Sequence, residues 1–581
     1  MDTTDDALIS TMREDRAQQR RLAGARRLTM LVGTAFGMAM LIAAGLRSRE
    51  VGDATNFLSF PAYGSKSKAA DVDDASPASD DAVAVAASSS SVTEVVLTYE
   101  DFIENSDVKK YLEDDKGLDL STASVDTLLK YVPHRLVVEI DLDLVKGDVG
   151  EEATEGFIAF NLIQMNDSGD KYTGSLFTIL KYSTGELAHV YPTYAAEDDM
   201  HFCGLKLKDS STFVLAGNTG TSERGPKYTL DWKSGDFTLL ADGTEENCHD
   251  IQWSYEGRNL WQPGSDLNVV ETKVSNGDTV SSVAMAGYAS DINHVGLLSQ
   301  DSVTVASSRM TNAIIKAHVE TSEIVWVAGG VNGTMAIETL SGETLAAGES
   351  LYYGQHNAEY FGEDEYMMFD NNYDQDAASR LLIISIDEDA ETITEEWQYV
   401  FEEYPWGYSP FFGDNDRMIG GNLLGTFWPL TLSGSDYEDV RYEAKVVEVV
   451  RETKDVAWSL EVYGQQECED KECERSNNVG WKMYSAERFF VAPVVYNVTC
   501  GSGTLSFTTQ NNFKQLNPYD GTYVLADKSS GDTVASGDLT WLPHWRATDL
   551  VGITFDSDGE TSKTLTVTNQ FGDETVKDIT C

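Results

Sequence analysis

From about residue 94 onward the apolar residues fall in short runs broken by Gly, Asp and Ser turns, with few long helical periodicities. Successive strand side chains point to opposite faces, so short apolar runs bounded by turn residues predict strands. One unit recurs six times: an apolar strand, a polar turn carrying an acid or a glycine, and a second strand that often contains Trp. Its instances are LFTILKYSTGELAHVYP from Leu176, YTLDWKSGDFTLL from Tyr228, VVETKVSNGDTVSSVA from Val269, AIIKAHVETSEIVWVAGG from Ala313, LLIISIDEDAETITEEWQYV from Leu381 and AKVVEVVRETKDVAWSL from Ala444. A hairpin repeating every ~40–70 residues, each with a more variable remainder, predicts an all-β fold with a six-bladed β-propeller over residues 94–490. The competing expectation is a set of unrelated hairpins in β-sandwiches. After about residue 490 the alternation tightens into shorter strands, and residues 491–581 predict a small Ig-like β-sandwich.

Before residue 94 the pattern is different. Residues 28–46 (LTMLVGTAFGMAMLIAAGL) carry no charge. At ~1.5 Å per residue they would span roughly 28 Å, near the thickness of a bilayer's hydrocarbon core. Six Arg precede the segment and two follow it. This predicts a basic cytoplasmic head (1–27), an N-terminal transmembrane helix acting as signal anchor (28–46), an Ala/Ser/Asp-rich stalk (47–93) and a body outside the cytosol. A cleaved signal peptide ending near Ala43 and Ala44 is the alternative. The expected topology is a single-pass type II membrane protein with its body luminal or extracellular.

Charge sharpens this picture. The 581 residues carry 96 acidic and 42 basic side chains, a formal net charge of -54. The first 50 residues hold eight Arg against six acids, so the imbalance belongs to the body. Such a surface repels phosphate backbones and anionic headgroups, which excludes general nucleic-acid binding and adsorption to a membrane by charge. Six cysteines suit an oxidising compartment. Cys500 and Cys581 bracket the last segment, Cys468 and Cys473 could form a small loop, and Cys203 and Cys248 remain; buried free thiols are the alternative. Asn166, Asn332 and Asn497 head N-glycosylation sequons.

Three of the eight histidines stand in polar, turn-adjacent positions in successive repeat intervals. They are His249 in NCHDIQ, His294 in DINHV and His356 in YGQHNA. In a propeller such positions converge on one central channel, and Arg309, one strand after His294, could join them. Each also has a plain structural reading, as a turn histidine or a surface ion pair. A histidine cluster could bind zinc, although an arginine among the ligands opposes a cation. No phosphate-binding GxxxxGK[ST] loop occurs. Asp370-Asn-Asn-Tyr-Asp374 begins like a calcium loop but has Gln375 and Leu381 where Gly and Glu are required, so it reads as a polar turn.

The segments HDIQWSYEGRNLW, INHVGLLSQDSVTVASSRMTNAIIKAHVETSEIVWVAGG and GQHNAEYFGEDEYMMFDNNYDQDAASRLLIISIDEDAETITEEWQYV resemble the arylsulfotransferase family, whose members transfer sulfuryl groups without PAPS. His-Asp, then His followed by Ser-Ser-Arg, then Gln-His, Phe-Asp-Asn and Ser-Arg occur in the family's order across roughly residues 200–430. The resemblance implies a six-bladed propeller and a ping-pong transfer from a small aryl sulfate donor to a phenolic acceptor through a sulfohistidine, with no cofactor. It implies His356 as nucleophile, with His249, His294 and Arg309 around the sulfate, and Thr426 and Asn357 in contact with substrate. Two positions depart from the family: Gly296 stands where Asn is common, and Asn357 where Asp is frequent. The rival expectations are a non-catalytic, membrane-anchored propeller binding a small anion, glycan or protein partner, and a metal-dependent hydrolase.

Overall fold

The computed structural model describes residues 92–165, 172–193, 200–219, 225–241, 247–264, 267–433, 441–464, 472–474, 480–556 and 561–581. The basic head, the 28–46 segment, nearly all of the stalk, the Asn166 sequon and Cys468 lie outside the described residues. Among the described residues no helix is long and apolar enough to cross a membrane.

The body is all-β, built from many small antiparallel sheets. Each of the six repeated sequence units forms a hairpin. The pairs are Tyr172–Lys181 with Leu187–Pro192, Lys227–Asp231 with Asp236–Ala241, Asn268–Lys273 with Thr279–Ala284, Ala313–His318 with Ile324–Ala328, Arg380–Asp387 with Thr392–Val400, and Ala444–Val449 with Val456–Tyr463. Their turns need the left-handed backbone that glycine adopts freely. Gly235 sits at φ +79°, and a Cβ there would meet the Tyr191 ring at 2.6 Å.

Every hairpin belongs to a larger sheet, in which its first strand pairs with one of two further strands, the inner half. The inner halves are Phe157–Met165 with Gly480–Phe489, Met200–Leu207 with Thr212–Thr219, Gln252–Trp253 with Asn259–Pro263, Ile292–Leu298 with Val303–Ser308, His356–Gly362 with Glu365–Asp370, and Asn415–Arg417 with Leu423–Phe427. The first sheet is completed from the far end of the array, with Phe157 paired to Phe489 and Met165 to Gly480. The sixth sheet is extended by Arg135–Ile140 and Thr93–Thr98, so the first residues of the body close onto its last repeat. Short helices, Tyr99–Glu104, Ser106–Lys110, Val125–Leu128 and Leu142–Lys146, fill the segment around these two strands.

Apolar cores lie between consecutive sheets. Trp261, Val283, Val295 and Ile315 pack between the third and fourth, Val305, Ile314, Tyr366 and Met368 between the fourth and fifth, and Met367, Phe369, Phe427 and Val447 between the fifth and sixth. The inner strands are buried on both faces yet carry polar side chains: Gly480–Phe489 is buried at every position and includes Lys482, Glu487 and Arg488. Buried ions need partners. Arg488 lies 3.8 Å from the centre of the Tyr182 ring and donates to the carbonyls of Phe157 and Ala153.

The last strands form a three-stranded and a four-stranded sheet that share a core of Val495, Phe507, Leu525, Trp541 and Val567. Disulfides Cys500–Cys581 and Cys203–Cys248 are present. The segment linking the sheets of this terminal module reaches the inner strands of the repeat array. Lys514 Nζ donates to Glu359 Oε2 at 2.7 Å and to Asp416, and Tyr519 Oη donates to the Tyr255 carbonyl at 3.1 Å.

Candidate functional site

His356 opens the inner strand of the fifth sheet and is 2% exposed. Its Nδ1 lies 2.7 Å from Asn371 Oδ1. The Asn371 amide nitrogen donates to the carbonyls of Ser409 (3.0 Å) and Phe412 (2.9 Å), which fixes its oxygen toward the histidine. An amide oxygen can only accept, so Nδ1 carries the proton and the His356 Nε2 lone pair is left free. Burial first, and then the Arg309 charge, pushes the ring's pKa down to about 3, which keeps it neutral near pH 7.

His294 lies in the inner strand of the fourth sheet, next to the strand that carries His356. The Asn293 amide bonds the Gln355 carbonyl at 2.8 Å and ties the two strands together. His294 Nδ1 is 2.9 Å from Asp250 Oδ2, an ion-pair contact poorly aligned for a hydrogen bond, and its Nε2 has no hydrogen-bond partner. Burial would raise the Asp250 carboxyl, but His294 and then Lys206 hold it down to about 2. The backbone amides of Ile251 and Val295 and the Gln252 side chain also bond this carboxylate. Gly296 adjoins the ring: a Cβ there would stand 4.0 Å from His294 Nε2 and no nearer than 3.5 Å to any other group.

His249 is half-buried in the turn just before Asp250 and is held by Asn247, whose side-chain oxygen accepts from its backbone amide at 2.9 Å. The Cys203–Cys248 bridge pins this turn to the inner strand of the second sheet. Arg309 donates to Asp291 Oδ2 at 3.1 Å and to the Pro410 carbonyl at 3.3 Å, while its Nε stays without a partner. Asp291 would be raised by burial, but the Arg309 guanidinium holds it below the usual carboxylate range, and His249 and His356 lie within electrostatic range of the same carboxylate.

Thr426 and Asn357 are engaged with the frame of the site. The Thr426 hydroxyl donates to the Tyr484 carbonyl at 3.0 Å and accepts from the Asp414 amide at 2.8 Å. Asn357, at φ +48°, turns its amide toward Asp414 and the Asn415 carbonyl. Tyr484, Asn371, Asp250 and Asp291 were not singled out by the sequence pattern. The Tyr484 ring lies edge-on to both His249 (5.8 Å between centroids) and His356 (6.3 Å). Asp250 could have been found from its place beside His249, and Asn371 from the Phe-Asp-Asn triplet. The Asp370 carboxylate accepts from the Tyr353 and Asn372 amides and pairs with Arg380, a polar turn. Among the described residues no group of three or more His, Cys, Asp or Glu side chains is arranged to hold a metal.

A site with two differently partnered histidines, an arginine and several buried unpaired polar atoms suits a small anion. Residues 266–471 match the arylsulfotransferase (ASST) family. The matched span contains His294, Arg309, His356 and Thr426; His249 and Tyr484 flank it. The arylsulfotransferase match supports an arylsulfotransferase-like function for the body and implies an aryl sulfate donor and a phenol acceptor. No curated protein matches the chain. Two solved structures show weak likeness. The nidogen–laminin complex is 10% identical, with 57% of this chain and 97% of that chain covered and a TM-score of 0.31. A Bacteroides uniformis protein described as a 6-phosphogluconolactonase is 12% identical, with 61% and 95% covered and a TM-score of 0.32. Neither TM-score is high enough to carry an inference.

Proposed function

We propose that the protein is a PAPS-independent aryl-sulfate sulfotransferase working by a ping-pong mechanism through a sulfohistidine on His356. The observation that carries this reading is the state of His356: neutral and buried, with Nδ1 committed to Asn371, the Nε2 lone pair left free and the Arg309 charge acting on the ring. Neutral imidazole is a competent nucleophile at pH 7. The Nε2 pair attacks sulfur, the sulfur–oxygen bond to the aryl group breaks, and His294, faced by the Asp250 carboxylate, gives the phenolate a proton. Arg309 and His249 face the non-bridging oxygens, where negative charge gathers as it does in phosphoryl transfer. An acceptor phenol then gives its proton to His294 and takes the sulfuryl group. The body is read as a six-bladed propeller followed by an Ig-like sandwich, supported by six consecutively packed sheets and the closing strand Gly480–Phe489. The two disulfides and the basic head before residues 28–46 support a type II anchor with the body luminal or extracellular.

The test is full-length protein in detergent with excess 4-nitrophenyl sulfate, with and without a phenol. Release of nitrophenolate and a sulfuryl adduct on His356 are expected, and His356→Asn should lower turnover at least ~1,000-fold. No release and no adduct would leave a non-catalytic anion- or glycan-binding body. Loss on chelation with recovery on zinc would point to a metal-dependent hydrolase.

A further inference from the structure

We propose that Asn371 is a positioning residue whose amide keeps the sulfuryl group on His356 transferable, so that the choice of an amide over a carboxylate at this position sets the balance between the two half-reactions. The inference rests on the sulfotransfer reading above. Asn371 is fully buried and cannot flip. Its side-chain nitrogen is committed to two carbonyls, and its backbone carbonyl accepts from Ser379 Oγ at 2.9 Å, a hydroxyl that in turn receives the Ser409 amide at 2.9 Å.

The consequence is chemical. An amide oxygen accepts a hydrogen bond but is far too weak a base to take the proton. When the Nε2 pair forms the nitrogen–sulfur bond, the Nδ1 proton has nowhere to go, and the ring becomes an N-sulfurylated imidazolium. Its positive charge is offset by the sulfuryl group's own negative charge, so no net charge is added beside Arg309. In the second half-reaction the acceptor oxygen bonds to sulfur, the nitrogen–sulfur pair returns to Nε2, and the leaving group is neutral imidazole. With a carboxylate at 371 the Nδ1 proton could pass to it, and the leaving group would become imidazolate, a far stronger base and a poorer leaving group. The same site shows the opposite choice at His294, which faces the carboxylate of Asp250. That pairing suits a histidine that must gain and lose a proton, whereas the Asn371 pairing suits one that must bond to sulfur and release it.

The experiment uses the full-length chain in detergent, with Asn371→Asp and Asn371→Leu compared with the unaltered protein. In Asn371→Asp the first turnover of 4-nitrophenyl sulfate should persist as a burst near one equivalent. Steady-state turnover should fall at least tenfold, and sulfuryl-His356 should accumulate in the mass spectrum. Asn371→Leu, which removes the acceptor, should slow the burst itself. Independently of activity, 15N-histidine labelling should show His356 of the unaltered protein with Nδ1 protonated and Nε2 bare, and a mixed state in Asn371→Leu. Turnover of Asn371→Asp at the unaltered rate without accumulation, or a bare Nδ1 in the unaltered protein, would overturn the inference. Absence of any nitrophenolate from the unaltered protein would instead sink the sulfotransfer reading, and the 15N result would still decide whether Asn371 fixes the tautomer.

Discussion

Lys514→Met offers a sharp test of how the terminal module is joined to the repeat array. Lys514 is 7% exposed and reaches Glu359 and Asp416, which are 5% and 4% exposed. Met keeps the length and apolar stem and removes only the ammonium. Both carboxylates would then be buried without this partner, and breaking a buried pair in this way costs about 3–5 kcal/mol. The loss should depend on pH. Burial is the strongest influence on Glu359 and raises its pKa; Lys514, then Lys206, brings it below the ordinary value. A carboxyl lowered in the folded state contributes stability that is present above its unfolded value of about 4.3 and is lost as pH falls through the folded value. Without Lys514 burial should dominate, and Glu359 should take up a proton in the folded protein. The deficit should therefore be fully developed at pH 7.5 and smaller at pH 5. Denaturant titration followed by tryptophan fluorescence, at both pH values, reads this directly. Adding Glu359→Gln and Asp416→Asn to Lys514→Met should recover much of the loss, because the uncompensated charges are gone. A loss under about 1 kcal/mol at pH 7.5, or no recovery in the triple variant, would refute the reasoning.

Two further outcomes follow from the frame of the site. Replacing Cys203 and Cys248 by Ala should destabilise the chain by up to ~4 kcal/mol on the chain-entropy account of a crosslink between residues 45 apart, and lower turnover because the bridge pins the His249 turn; unaltered melting and turnover would contradict this. Thr426→Val should cost about 1–3 kcal/mol, since the Tyr484 carbonyl and the Asp414 amide lose a buried partner, and a calorimetric melt matching that of the unaltered protein would contradict it.

The outer hairpins were legible because each begins with a short apolar run and turns at polar residues that include an acid. The inner strands were not. Gly480–Phe489 is buried on both faces and mixes Trp481 and Met483 with Lys482, Glu487 and Arg488. It therefore has no period-two signature, and its partner Phe157–Met165 lies more than 300 residues earlier. The segment after residue 94 reads as the first short strands of the repeat, yet it folds into short helices around two strands that extend the sixth sheet, a pairing set by a partner at Val456–Tyr463. The site divides the same way. His249, His294, His356 and Arg309 stood out as rare residue types in turn-adjacent motifs. Asn371 read only as part of a polar turn, and Tyr484 lies in a strand that carried no motif.

The amino-acid sequence by itself determined the strand class, the repeat and the residues able to do chemistry, because these follow from local alternation, turn residues and composition. The partner of each histidine was decided only by the tertiary structure. An amide facing one ring and a carboxylate facing the other come from inner strands and turns brought together by packing between sheets, and it is that pairing, absent from any local pattern, that distinguishes the two rings chemically.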